Sequence, residues 1–274
     1  MNTRRRDMLK AVGASLAALA APRIGRAETA NKLVFVPTEE LSVLDPHFAG
    51  PRSRRTHAYL VFDTLYGIDT RWTAQPQMVE GHQVEEDGLI WTLTLRDGLR
   101  FHDKEPVLAR DVVASIRRFA PRVAFADALM AETEELSAPD DRTVRFRLKR
   151  PFPHLPEALA GPGGIVPAIM PERLATTSPF KPVAEIIGSG PYRFLVEEHI
   201  SGARAAYERF TLYQPGTGPL GFTSGPKIAH FDRVEWLTLD AFSAMAALHA
   251  GEIDWWELPP SDLVERLASD RDVR

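Results

Sequence analysis

Apolar positions recur along this chain at two spacings, and the switches between them mark out its elements. Lys32 to Pro37 (KLVFVP) concentrates β-branched and aromatic residues and ends at proline, as a first strand would. His57 to Tyr66 places Leu60, Val61, Thr64 and Leu65 on one face, a helical spacing, with Gly67 as its stop. Ile90 to Leu95 (IWTLTL) alternates like a half-buried strand and meets the turn pair Asp97-Gly98. Ala109 to Phe119 returns to three-to-four spacing through Val112, Val113, Ile116 and Phe119, and predicts a helix. In Thr143 to Leu148 (TVRFRL), Val144, Phe146 and Leu148 point inward and the arginines outward.

The Pro- and Gly-rich stretch Pro151 to Pro171 predicts loop with a short helix near Leu155 to Leu159. Strands follow at Tyr192 to Val196, Ala205 to Tyr213 and His230 to Leu239, the first two paired. Ala241 to Ala250 reads as a helix capped by Asp240 and stopped by Gly251. A short strand at Ile253 to Trp256 and a last helix capped by Ser261 complete a mixed α/β pattern.

The first residues have a different character. Arg4, Arg5, Arg6 and Lys10 precede an uncharged run, Ala11 to Ala21, that Pro22 ends. That run is too short for a bilayer core of about 30 Å, which needs about 20 helical residues, and fits the apolar centre of an export signal. Gly25-Arg26-Ala27 offers small residues for cleavage, so residues 1–27 are expected to be a signal peptide and the product periplasmic. Arg5-Arg6-Asp7-Met8-Leu9-Lys10 resembles the twin-arginine signal, with Met8 where Phe is usual.

Without that segment the chain is acidic by about nine charges, which argues against a nucleic-acid partner. There is no cysteine, so thiol catalysis and thiolate metal sites are excluded, and stability must come from core burial.

The ordered motifs Leu44-Asp45-Pro46, Phe62-Asp63-Thr64-Leu65, Asp87-Gly88 to Asp103, Ala109-Arg110-Asp111-Val112-Val113, Gly188-Ser189-Gly190-Pro191-Tyr192 and Gly251-Glu252-Ile253-Asp254 resemble the family 5 extracellular solute-binding proteins. Those proteins are the dipeptide, oligopeptide and nickel-type receptors of ABC importers. The resemblance spans residues 31–274 and departs at Lys104, where relatives usually have Gly, and at Leu108, where they often have a capping Thr.

It implies a periplasmic-binding-protein-like (type II) α/β lobe, formed by residues 28–50 and 180–274, with an extra mixed α/β subdomain at 51–179. A second lobe would lie beyond residue 274, making this an amino-terminal half. The expected partners are a peptide or peptide-like ligand and an ABC permease, with the chain itself a monomer.

Other chemistry finds little support. Gly216-Thr217-Gly218-Pro219-Leu220-Gly221 satisfies a dinucleotide fingerprint in letter, but Pro219 and the following Phe222 to Pro226 cannot open a helix. Glu197-Glu198-His199 has no second imidazole at ligand spacing, and no Ser/His/Asp set can be argued. Hence no catalytic residue, metal or cofactor is expected, although an exported hydrolase-like enzyme on a related scaffold stays an alternative.

Ligand contacts are expected in two places. Glu40, Leu41 and Ser42 follow the first strand, where open α/β sheets bind ligands, and Glu40 falls where peptide-binding relatives approach their ligand. Trp255 and Trp256 point to opposite faces of a strand, so one belongs to the core and the other can offer a ligand wall.

Overall fold

The computed structural model describes residues 31–270 and Val273. The expected export signal lies outside these residues. Among them, no helix is long and apolar enough to cross a membrane.

One sheet has five strands in the order β11 (Trp255–Trp256), β1 (Lys32–Val36), β10 (Arg233–Leu237), β9 (Arg204–Arg209) and β8 (Tyr192–Phe194). β1 runs parallel to β10 and β11, whereas β9 is antiparallel to both its neighbours. Because side chains alternate along β1, the sheet has two covered faces. Phe35 packs with Trp236 at 5.4 Å between ring centroids, Tyr207 packs with Trp236 at 5.2 Å, and Ala58 and Val61 of helix α1 (Arg52–Val61) belong to the same cluster. On the opposite face Val34 and Val36 meet Ala244 and Ala247 of helix α6 (Ala241–His249), which joins β10 to β11. Asp240 caps α6, accepting from the backbone N–H of Phe242 and Ser243.

A second sheet, in the order β4 (Val79–Glu85), β5 (Ile90–Leu95), β7 (Thr143–Leu148) and β6 (Thr133–Ser137), is antiparallel throughout. Leu93, Leu95, Val144 and Phe146 form its core with Val112, Val113 and Ile116 of helix α2 (Ala109–Phe119). Burying each such side chain is worth about 1.5–3 kcal/mol, so this subdomain carries a substantial core. β2 (Tyr66–Ile68) and β3 (Ala74–Pro76) form a separate hairpin.

Several expected boundaries move. The first helix starts at Arg52 and ends at Val61, not His57 to Tyr66, and Gly67 lies in β2. Its early start escapes the apolar pattern because its first turn is arginine-rich and lacks a side-chain cap. The strands expected to reach Val196, Tyr213 and Leu239 stop at Phe194, Arg209 and Leu237, where pairing ends. Ser261 is the first residue of the last helix, α7 (Ser261–Ala268), rather than its cap; Pro260 precedes it, with no side-chain bond.

The family motifs are built into the interior. Asp45 accepts two hydrogen bonds from Arg118 at 3.1 and 2.7 Å, and the N–H groups of His47 and Val183 complete its shell. Burial pushes the Asp45 carboxyl up, but the Arg118 bonds and charge outweigh it and hold the pKa below the usual value. Asp63 accepts from Lys227 Nζ at 2.7 Å and Tyr213 Oη at 3.0 Å.

Gly188 and Gly190 lie against the end of α1, where an added Cβ would come within 2.0 Å of Val61 O and 2.7 Å of Leu60 O respectively. The carbonyls of the same glycines accept from His102 N and Nε2, so two motifs distant in sequence lock together. At the two departures, Lys104 adopts φ 74°, a conformation that favours glycine, and Leu108 supplies no capping oxygen. Asp111 compensates in part by accepting from Leu108 N at 2.8 Å.

Candidate functional site

The loop after β1 leaves the carboxyl end of the parallel strands and is fastened on both sides. Thr38 donates through N and Oγ1 to Glu257 Oε2 at 2.9 and 2.8 Å, tying it to the chain after β11. Glu39 Oε2 accepts from Arg52 N at 2.8 Å, and Ser53 Oγ donates to Glu40 O at 2.8 Å, tying it to the first turn of α1. Such anchoring preorganises a loop at the sheet end that commonly receives ligands.

Within this loop the three expected contact residues differ. Glu40 is exposed, its carboxylate lying beside Gly202, where an added Cβ would meet Oε2 at 3.2 Å. Leu41 is buried in the cluster of Phe35 and Trp236, so its side chain serves the core and leaves only backbone for a ligand. Ser42 is exposed and lines a cavity of about 670 Å³ with Leu44, Phe48, Val183, Ile186 and Phe194.

The two tryptophans separate as alternation requires. Trp256 is half-buried against the Val34 and Val36 face. Trp255 stands 55% exposed at the carboxyl end of the sheet, its ring 5.0 Å from Phe35 in an edge contact. Phe35 thus fixes one side of the indole and leaves the other open. Asp254 accepts from Val34 N at 2.7 Å and donates its own N–H to Val34 O, which holds β11 in register.

Sequence reasoning missed a group beside this loop. Arg52, Arg54, Arg55 and Arg122 line an open concavity of about 620 Å³ together with Gly50 and Gly164. Three of the four are consecutive or nearly so in a helix turn, a signal visible as Arg52-Ser53-Arg54-Arg55. Among the described residues, no group of three His, Asp or Glu side chains is placed to hold a metal ion.

Comparison with known proteins joins this geometry to a lineage. Over its whole length the chain is 39% identical to a probable peptide ABC transporter periplasmic-binding protein of Sinorhizobium fredii, covering 52% of that protein. It is 29% identical over 167 residues to a glutathione-binding protein of Escherichia coli O1:K1, covering 60% of this chain and 32% of the other.

Two solved structures share the fold. The agropinic acid complex of a periplasmic binding protein from A. tumefacien R10 gives a TM-score of 0.69 at 24% identity, covering 88% of this chain and 46% of that one. The Helicobacter pylori periplasmic binding protein DppA with a bound peptide gives 0.68 at 22% identity, covering 88% and 49%. The chain therefore spans about half the length of these proteins, apart from the shorter match to the glutathione-binding protein. Residues 73–274 match the family described as bacterial extracellular solute-binding proteins, family 5, and the chain belongs to that family.

Proposed function

We propose that this chain forms one wall of a periplasmic receptor that captures a peptide or peptide-like solute and hands it to an ABC permease. The observation that carries this is the pairing, at one sheet end, of a doubly anchored loop bearing Glu40 and Ser42 with the open face of Trp255. A relative matched over the full chain is named for peptide transport, and a peptide is bound in one of the fold's neighbours. Residues 28–50 and 180–274 form the ligand-bearing lobe and 51–179 an attached subdomain. This division is supported by β1 sharing a sheet with β8 to β11 while β4 to β7 make another. Export by the twin-arginine route and a monomeric state complete the reading.

The chemistry is capture by closure of two walls, without covalent steps. A single wall buries only part of a ligand, so affinity for the chain alone is expected to be weaker than micromolar. Titration with mixed tripeptides, followed by tryptophan fluorescence and mass spectrometry, tests this. A weak saturable change that Trp255→Ala removes, with every peptide recovered intact, is the expected result. Cleaved peptides would refute the receptor reading, and micromolar binding would refute the one-wall account.

A further inference from the structure

The first turn of α1 violates the electrostatics of helices. The amino-terminal end carries the positive pole of the helix dipole and favours carboxylates, yet this turn holds Arg52, Arg54 and Arg55 and no acidic residue. Pro51 occupies the cap position without a side-chain acceptor, only its carbonyl accepting from Arg54 N at 3.2 Å. Among the described residues Glu39 is the one carboxylate bonded to this turn, through the N–H of Arg52, and it is not part of the arginine-lined wall.

Arg54 sharpens the anomaly. It is only 2% exposed, and its Nη1 and Nη2 donate to the carbonyls of Pro46 and Gly164. Its Nε is buried with no partner, 3.3 Å from where a Cβ on Gly50 would stand. Burial first, and the charge of Arg55 second, pull its pKa down. The neighbouring carboxylate, Asp45, is engaged by Arg118.

Arg122 faces the same space from another element, held by stacking on Phe48 at 4.8 Å and Phe180 at 5.2 Å, and its Nε is also buried and unpartnered. Four arginines thus line one open cavity whose lining contains no carboxylate. Gly163 and Gly164 contribute a wall without side chains.

We infer that this cavity is an oxyanion site, in which Arg52, Arg55 and Arg122, backed by the buried charge of Arg54, receive a carboxylate or phosphate group of the captured solute. The assignment rests on the receptor reading for the solute's identity, because Glu39 and Ser53 bind the arginine-bearing turn to the proposed ligand loop. Guanidinium forks suit both anions, since each offers paired oxygens at matching separation. Charge convergence without a counter-charge is unfavourable in the empty protein and is relieved when the anion enters.

Citrate and pyrophosphate, titrated into the full chain at ionic strength held constant with chloride, test the site. Thermal shift and heteronuclear NMR are the readouts. Saturable binding by at least one anion is expected, and the stronger of the two identifies the preferred oxyanion. In Arg52→Gln/Arg55→Gln that affinity is expected to fall at least tenfold, two charge-assisted donors having been lost. Both positions lie in the first helical turn outside the apolar core, so the variant should fold. Without anion its midpoint should rise by about 1–3 °C, because like charges at the positive pole are removed.

Equal anion binding by both proteins, or no binding beyond the chloride control, would overturn the assignment. A lower midpoint for the ligand-free variant would do so too. A parallel titration compares an acidic tripeptide with a neutral, amidated one. Equal binding of the two would leave the receptor reading standing and reject the oxyanion site. Citrate binding at the arginines with neither peptide bound would do the reverse.

Discussion

The interior around Arg118 and the first turn of α1 around Arg54 each bury a guanidinium almost completely, yet they treat its charge in opposite ways. Arg118 meets Asp45 through two hydrogen bonds and also donates to the carbonyls of Thr177 and Lys181. Arg54 meets carbonyls alone and keeps one N–H idle. A fully paired buried charge fixes geometry, whereas a buried charge without a counter-ion is tolerated where something outside the chain can supply one. The motif residues belong to the first kind and the arginine turn to the second.

Acid should break the paired interior most severely. Burial lowers His47 to about 4, His57 to about 3 and His102 to about 4, with the Arg118 charge adding to the effect at His47. Their folded pKa values lie below the unfolded value near 6.5, so the unfolded chain binds more protons in the intervening window. Stability is therefore present above pH 6.5 and lost as pH falls toward 4, by roughly 2 kcal/mol per histidine at pH 5. Urea unfolding at pH 7 and pH 5 checks this, and equal midpoints would contradict it.

Next in size, Arg118→Met leaves Asp45 buried and unpaired and should cost about 3–5 kcal/mol. Arg54→Met removes a cation that has no ion pair and should cost less, about 1–2 kcal/mol, from two carbonyls left without donors. Denaturant titration of the two variants side by side would erase the contrast if their losses were equal. The smallest effect is a gain: Lys104→Gly relieves a positive φ and should stabilise by up to about 1 kcal/mol, seen as a higher thermal midpoint.

Much of the fold was legible because local signals agreed. Helix α2 and strands β5 and β7 have the boundaries that their periodicity predicts, and Asp240 caps α6 as its position suggests. Other elements carried no such agreement. Strand β4 (VEGHQVE) is mostly exposed and gains its order from pairing with β5. The helix over Ala124–Glu132 is apolar almost all round its first two turns and shows no polar face to betray it.

The candidate site divides the same way. Glu40 and Ser42 were found from a motif and a strand end, and they lie exposed there, while the burial of Leu41 depended on how Trp236 packs. The arginine cluster was visible as letters but not as a cavity, since Arg122 and Gly164 reach it only through folding.

Sequence by itself determined the family, the mixed α/β class, and the elements whose short-range periodicity and turn residues point one way. Tertiary structure decided which charges would be paired. Asp45 finds Arg118 across 73 residues, and Arg54 finds Gly164 across 110, with no local pattern announcing either. Backbone preference acts over a few residues, whereas burial and charge compensation depend on which distant segments exclude water together.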